Sequence, residues 1–262
     1  MALMRKVVFM IFALLLGAAA SAAQQTHASK PQVTTLLAGL YAAKWTDRAE
    51  AYEELRDDPM AIPKPEVQSA LMELLDRENQ LIESTLRDSH ERVGVSEKYG
   101  EGLSEYVGEL GETVDTFANW NDPRQVCIFV HEAYNPESKF AAKIASHAKL
   151  ATPCLIEMYS SDVGLVRAEA AGVLVQAVAK AKDQLDRNTI GIANQLIVRA
   201  LRDRDDAVRS TSVSALGKFG GQDMIPALEQ VAQSDPSPEV QGHSIRKSAL
   251  NAIDAIQKRA QK

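Results

Sequence analysis

Aromatic residues and cysteines are scarce in this chain. Phe, Trp and Tyr together make up 5% of the 262 residues, and Cys127 and Cys154 are the two cysteines present. Two cysteines in separate regions form no paired motif for zinc. Four of the five histidines, His90, His131, His147 and His243, lack the spacing of metal ligands. We therefore expect no metal site and no cofactor.

Catalytic motifs are incomplete throughout the sequence. His131-Glu132 begins like a zinc-protease motif, but Asn135 stands where the second histidine is needed. Residues 217–221 contain glycine and lysine without the spacing of a phosphate loop, and they are typical of a helix end. Acidic pairs such as Asp57-Asp58 and Asp205-Asp206 are more typical of helix surfaces and turns than of a hydrolytic dyad. The sequence does not predict an enzyme.

Basic residues are fewer than acidic residues in this chain. The chain has 29 basic and 35 acidic residues, which gives a formal net charge of −6. An acidic protein is repelled by the phosphate backbone of nucleic acids and by anionic membrane surfaces. Neither is expected as a partner.

Long apolar runs are absent except at the N-terminus, where residues 1–23 have the features of a secretory signal. Arg5 and Lys6 precede an apolar core at 7–16, and Ala20-Ser21-Ala22 forms a small-x-small cleavage pattern. The alternative is a retained membrane anchor, but the apolar core is short for a helix that spans a bilayer. We expect a cleaved signal, a disordered polar tail at 24–32, no stable membrane insertion, and a periplasmic or secreted protein.

One short pattern occurs three times in the C-terminal part of the chain, at residues 166–174, 208–216 and 245–253. Each copy reads β-branched, Arg, two free positions, small, two free positions, small or apolar, aliphatic. The copies start 42 and 37 residues apart, as in proteins built from two-helix repeats. Small residues at this spacing share one helical face, so that a second helix can pack closely against it. One hairpin cannot bury such a face, and stacked hairpins are therefore expected.

These residues resemble the HEAT and HEAT-like repeats, including the type found in phycobilin-lyase-like proteins. The copy at 205–217 fits that pattern best, and Ser161-Asp162 before Val166-Arg167 is the second match. In the third copy Gly242-His243 intervenes before Ile245-Arg246. The resemblance implies an all-α, right-handed α-solenoid of about five or six helical hairpins. We place HEAT-like repeats at 150–262 and degenerate helical repeats at 33–149.

The N-terminal half shows apolar stripes that predict further helices. A long helix is expected from Pro65 to about Arg92, followed by a break at Gly94 and Gly100. Later helices are expected at about 124–133, 138–149 and 153–159. The segment 80–120 differs from the C-terminal units and is either a capping region or an elaboration with a function of its own.

Cys127 and Cys154 can be interpreted in two ways. If their helices are the first helices of adjacent repeats, with each cysteine near the start of its helix, the two side chains could meet and form a disulfide. The alternative is a pair of buried free thiols.

Three arginines, Arg167, Arg209 and Arg246, occupy the same position in the three copies. They could line the concave face as a basic strip for a partner. Alternatively, each bonds to an acidic residue or a carbonyl in the adjoining turn, or pairs with acids of its own or the preceding repeat.

We therefore expect a noncatalytic protein-binding or scaffold module of the cell envelope, whose partner is a protein or peptide. Two alternatives remain open. One is an enzyme-accessory or lyase-like HEAT-repeat protein. The other is an envelope structural protein bound to a glycan, for which the scarcity of aromatic residues is unfavourable.

Overall fold

The computed structural model describes residues 33–89, 102–132, 139–239 and 244–261. Within these residues there are twelve α-helices. They are α1 (Val33–Gly39), α2 (Trp45–Arg56), α3 (Pro65–Ser89), α4 (Leu103–Asp115), α5 (Pro123–Glu132), α6 (Ala141–Ser146), α7 (Ala148–Met158), α8 (Gly164–Ala181), α9 (Arg187–Ala200), α10 (Asp206–Phe219), α11 (Ile225–Ser234) and α12 (Ile245–Ala260). A short 3-10 helix, Gln222–Met224, precedes α11.

The helices pair in chain order into six two-helix units, numbered 1 to 6 from α1/α2 to α11/α12. The first helices α3, α5, α7 and α9 pack side by side in one layer. In the other layer α2 packs on α4, α6 on α8, α8 on α10, and α10 on α12. This is the all-α solenoid that the repeats predict. Its right-handed sense stays a prediction.

Small residues bring the second helices of the C-terminal units close together. A Cβ atom added at Gly172 of α8 would lie 3.0 Å from the Thr211 methyl group of α10. One added at Gly217 of α10 would lie 3.3 Å from Cβ of Ala252 on α12. Val173 and Leu216, which adjoin these glycines in sequence, are buried, so the layer is closely packed. Ala252, a small position of the repeat pattern, thus lies where unit 6 meets unit 5.

Two helices have boundaries that differ from the expected 138–149 and 153–159. The first, α6, is short, and α7 runs from Ala148 through Pro153 to Met158. A proline is common at the start of a helix and therefore favours a start at position 153. In the structure Pro153 lies inside the helix and is exposed.

Aromatic side chains are concentrated in units 2 and 3, although they are few in the chain. Trp120 stacks on Phe129 with ring centroids 4.6 Å apart, and Phe140 packs against Phe129 at 4.9 Å. The indole Nε1 of Trp120 donates to Asp115 at 2.7 Å. These rings fill the space around the short helix α6. They hold the middle of the solenoid together where the repeat pattern is weakest.

None of the helices among the described residues is both long and apolar enough to cross a membrane. The predicted signal at 1–23 and the predicted tail at 24–32 lie outside the described residues, as do Gly94, Gly100 and most of the third copy's insertion at 240–243.

Two glycines provide a matched test of how the units pack. Gly164 begins α8, and a Cβ atom there would overlap the carboxylate of Asp205, which caps α10 in the next unit. We expect Gly164→Ala to lower the free energy of unfolding by about 1–2 kcal/mol, because either the cap or the packing must give way. Gly191, inside α9, has open space around it. We expect Gly191→Ala to raise stability by about 0.5–1 kcal/mol, because alanine favours the helix.

Chemical denaturation of both variants at one protein concentration measures the two effects. A Gly164→Ala variant as stable as the unchanged protein would contradict the described contact between units 4 and 5.

Candidate functional site

Arg167 bonds unit 4 to unit 5 from a buried position near the start of α8. Its Nη1 donates to the carbonyls of Ser161 and Asp162, in the turn of its own unit, at 3.0 and 2.9 Å. Its Nε and Nη2 donate to the two carboxylate oxygens of Asp203, in the turn of unit 5, at 3.0 and 2.8 Å. One guanidinium therefore fixes its own turn and the following one.

Arg209 repeats this arrangement one unit further on. Its Nη1 donates to the carbonyl of Asp203 at 2.7 Å, and its Nε donates to the carboxylate of Asp235 at 2.7 Å. Its Nη2 donates to the Ser237 hydroxyl at 2.6 Å. Asp203 thus accepts from two arginines, with its carboxylate from Arg167 and with its carbonyl from Arg209. We call Arg167, Asp203, Arg209 and Asp235 the arginine–aspartate ladder.

A related arginine in unit 1 was missed by sequence analysis. Arg48 of α2 donates from Nη1 to the carbonyls of Ala42 and Ala43, each at 2.9 Å, and forms a buried ion pair with Glu78 of α3. The three-copy pattern requires a β-branched residue before the arginine, and Asp47 stands there instead. The available signal was an arginine in the first turn of a second helix.

Arg246 occupies the same position in unit 6 but has a different environment. Its Nε donates to the carbonyl of Asp235, in the turn of its own unit, at 2.7 Å. The side chain is exposed, and no described unit follows α12. Within the described residues, Arg246 therefore makes no bond to a following unit.

Two expectations about these arginines need correction. Arg167 and Arg209 were expected on an exposed face, but they are 7% and 5% exposed. Their acids were expected in the same or the preceding repeat, yet both carboxylates belong to the following repeat. The physical reason is that each arginine lies under the turn of the next unit. A basic strip of Arg167, Arg209 and Arg246 is not present.

The carboxylates of the ladder are kept charged. Burial alone would raise the pKa of Asp203, but the hydrogen bond from Arg167 and that from the backbone N–H of Asp205 hold the pKa below its usual range. The pKa of Asp235 is lowered in the same way, because Arg209 and Ser237 outweigh the effect of burial. A buried charge that has both a partner and hydrogen bonds can remain ionised.

Beside the ladder, two clefts follow one another along the turns of units 4, 5 and 6. The first has a volume of about 650 Å³ and lies between units 4 and 5. It is lined in part by Tyr159, Ser160, Leu196, Arg199, Arg202 and Arg204. The second, about 620 Å³, lies between units 5 and 6. It is lined in part by Arg202, Ala227, Gln230, Val231, Gln233 and Pro236. Both clefts include Arg202, Asp203 and one ladder arginine, and we call them together the turn-edge groove.

The stretch that forms the ladder and this groove matches a known family. Residues 152–249 match the family model for HEAT repeats. Over these residues the chain is similar to HEAT-repeat proteins. Among solved structures it is similar to an engineered protein, Northeast Structural Genomics Consortium Target OR329, with 17% identity, a TM-score of 0.39, and coverage of 86% of this chain and 96% of the other. The search of curated proteins returned no match.

Within residues 33–89, 102–132, 139–239 and 244–261, no three or more His, Cys, Asp or Glu side chains are grouped as metal ligands. The carboxylate of Asp205 caps α10 by accepting from the N–H of Ala207. Asp57 and Asp58 directly follow the C-terminal end of α2. Gly220 ends α10 in an extended conformation, as expected for a helix end.

Cys127 and Cys154 are joined by a disulfide in the structure, with Cα atoms 5.6 Å apart. They lie on α5 and α7, which pack together as first helices of units 3 and 4. Cys127 lies at the middle of α5 and Cys154 just past the middle of α7, rather than near the start. The bond therefore joins unit 3 to unit 4.

His131 does not lie in a metal site within the described residues. Its Nδ1 lies 3.6 Å from the Glu83 carboxylate of α3, and Asn135 lies outside the described residues. The nearby Glu83 carboxylate raises the pKa of His131 against the opposing effect of burial, and the acids Asp76 and Glu157 raise it further. In return, His131 lowers the pKa of Glu83. This pair connects α3 to α5.

The His131–Glu83 pair predicts a pH-dependent stability. Because the pKa of His131 is higher when folded than the value of about 6.5 in an unfolded chain, the pair stabilises fully below that value. Its contribution is lost as pH rises through the folded pKa. We expect the stability advantage of the unchanged protein over His131→Gln to shrink between about pH 6 and pH 8.

Denaturant unfolding across that pH range measures the effect. In a Glu83→Gln background the difference caused by His131→Gln should no longer depend on pH in this manner. A trend of the same size in both backgrounds would show that Glu83 is not the partner.

Proposed function

We propose that this protein is a noncatalytic HEAT-repeat scaffold of the cell envelope that binds an extended segment of a partner protein in the turn-edge groove. HEAT repeats generally mediate protein interaction or scaffolding. To this general role we add a compartment, the cell envelope, and a binding face, the turn-edge groove.

The observation that carries the proposal is the continuity of the groove across three units. Its two clefts share Arg202 and Asp203, so a single extended chain can follow both without leaving the surface. The buried arginine–aspartate ladder forms part of its lining and fixes the turns on either side. A site that is already ordered before binding loses little conformational entropy when a partner associates.

Two features support the envelope location. The pattern at residues 1–23 is that of an exported protein, as derived above. The Cys127–Cys154 disulfide is of a kind that persists in oxidising compartments and is rare in the cytosol. An exported scaffold would be held together by this bond at the junction between units 3 and 4.

Site-directed photo-crosslinking in the native host tests the binding face. A photo-reactive residue replaces Gln233, which lines the second cleft and is exposed. The matched control replaces Gln184, an exposed glutamine in the loop between α8 and α9, away from the groove. We expect one discrete protein adduct from position 233 and none from position 184. Adducts of the same size and yield from both positions, or none from position 233, would contradict binding in the groove.

The export proposal predicts the covalent state of the isolated protein. We expect protein taken from cells with acid quenching and thiol alkylation to lack residues 1–23 and to carry no label on Cys127 or Cys154. Reduction should expose both thiols and lower the free energy of unfolding by about 2–4 kcal/mol, because the cross-link constrains the unfolded chain. Full labelling before reduction, or an intact mass that includes residues 1–23, would argue against export with a cleaved signal.

A further inference from the structure

Three exposed arginines give the turn-edge groove a positive charge that nothing in the groove cancels. Arg199, Arg202 and Arg204 all line the first cleft, and Arg202 extends into the second. Arg202 bonds to the Gln230 side chain, whose amide carries no charge. Among the described residues, no carboxylate lies within ion-pair distance of these three arginines.

The acidic residues that line the groove are already paired with other arginines. Asp162 lies 3.0 Å from Arg87 of α3. Asp203 and Asp235 are held by the ladder arginines Arg167 and Arg209 at 2.8 and 2.7 Å. Each lining carboxylate is therefore neutralised by a cation outside the exposed set. The groove keeps three positive charges on a chain whose net charge is −6.

Apolar side chains also line the groove and indicate the kind of anion that fits. Leu196 and Val198 line the first cleft, and Ala227 and Val231 line the second. A peptide can place carboxylates on the guanidinium groups and its own apolar side chains between them. A polyphosphate backbone offers only the charge and would leave the apolar lining of the groove without a partner.

We propose that the turn-edge groove binds an acidic segment of a protein, whose Asp and Glu carboxylates pair with Arg199, Arg202 and Arg204. This inference rests on the proposed function and names the chemical class of the partner. Arginine suits the role because its planar guanidinium can donate two parallel hydrogen bonds to one carboxylate.

Fluorescence anisotropy with defined probes tests the proposal on the purified protein. The probe is a fluorescein-labelled peptide of alternating Glu and Ser, and its counterpart has Gln in place of every Glu. We expect the Glu peptide to bind with an affinity that falls as salt is added, and the Gln peptide to bind far more weakly. Removing the arginines together as R199A/R202A/R204A should weaken binding by on the order of twentyfold, at roughly threefold for each exposed ion pair.

A matched control removes the same charge elsewhere. Lys182, Arg187 and Lys218 are exposed cations near the opposite ends of the helices. The triple variant K182A/R187A/K218A should bind the Glu peptide as the unchanged protein does. Equal weakening in the two triple variants would overturn the proposal, because it would mean that only net charge matters. Absence of binding by the Glu peptide at low salt would also overturn it.

Two further probes separate the competing classes of anion. Single-stranded DNA and vesicles that contain phosphatidylglycerol should bind more weakly than the peptide, and equal or tighter binding by either would replace the acidic peptide as the ligand class. The proposed function fails separately, through loss of the adduct at position 233. If that adduct forms and its yield does not change in R199A/R202A/R204A, the scaffold function stands and the acidic-segment inference falls.

Discussion

A buried guanidinium at the start of the second helix determines how one C-terminal HEAT unit packs on the next. Arg167 and Arg209 each bond to backbone carbonyls in their own turn and to an aspartate carboxylate in the following turn. Burying an arginine destabilises the fold unless its charge is paired and its N–H donors are bonded. Here one unit supplies the arginine, and the following unit supplies the carboxylate that pairs with it. Neither unit can therefore be removed without leaving a buried charge unpaired. The turns are held in register by this requirement, and the groove beside them takes its shape from the turns.

The same constraint separates two kinds of arginine that look alike in sequence. The charge and the donors of the buried arginines are satisfied inside the solenoid, and Arg48, which pairs with Glu78, is one of them. The exposed ones at positions 199, 202 and 204 come from the first helix and the turn of unit 5, and they face the groove. Because the internal pairs neutralise the groove's own acids, the exposed arginines determine its electrostatic character. The charge of the groove thus depends on the pairing within the ladder.

Much of the fold follows from local patterns in the sequence. The repeat pattern places small residues such as Ala252 on one face of a second helix, and in the structure Ala252 lies against Gly217 where two second helices meet. The contacts of the arginines do not follow in the same way, because the acceptors of Arg167 and Arg209 lie 36 and 26 residues further along the chain. Burial of those side chains depends on the next unit, which lies outside any short stretch of sequence around each arginine. The groove was likewise not predicted, since Arg199, Arg202 and Arg204 fall outside the repeat pattern and come together through the turn. Pro153 shows the opposite case, in which a strong local signal was outweighed by packing between α7 and its neighbours.

A double-mutant cycle on Arg209 and Asp235 tests the central claim most directly. Arg209→Met and Asp235→Asn should each lower the free energy of unfolding by about 3–5 kcal/mol, since each leaves its buried partner unpaired. The double variant should lose about 2–3 kcal/mol less free energy of unfolding than the two single losses added together. The same cycle on the exposed Lys258–Asp254 pair should give a coupling energy of less than about 1 kcal/mol. A coupling at Arg209–Asp235 no larger than that of the exposed pair would contradict the view that the ladder holds the units together.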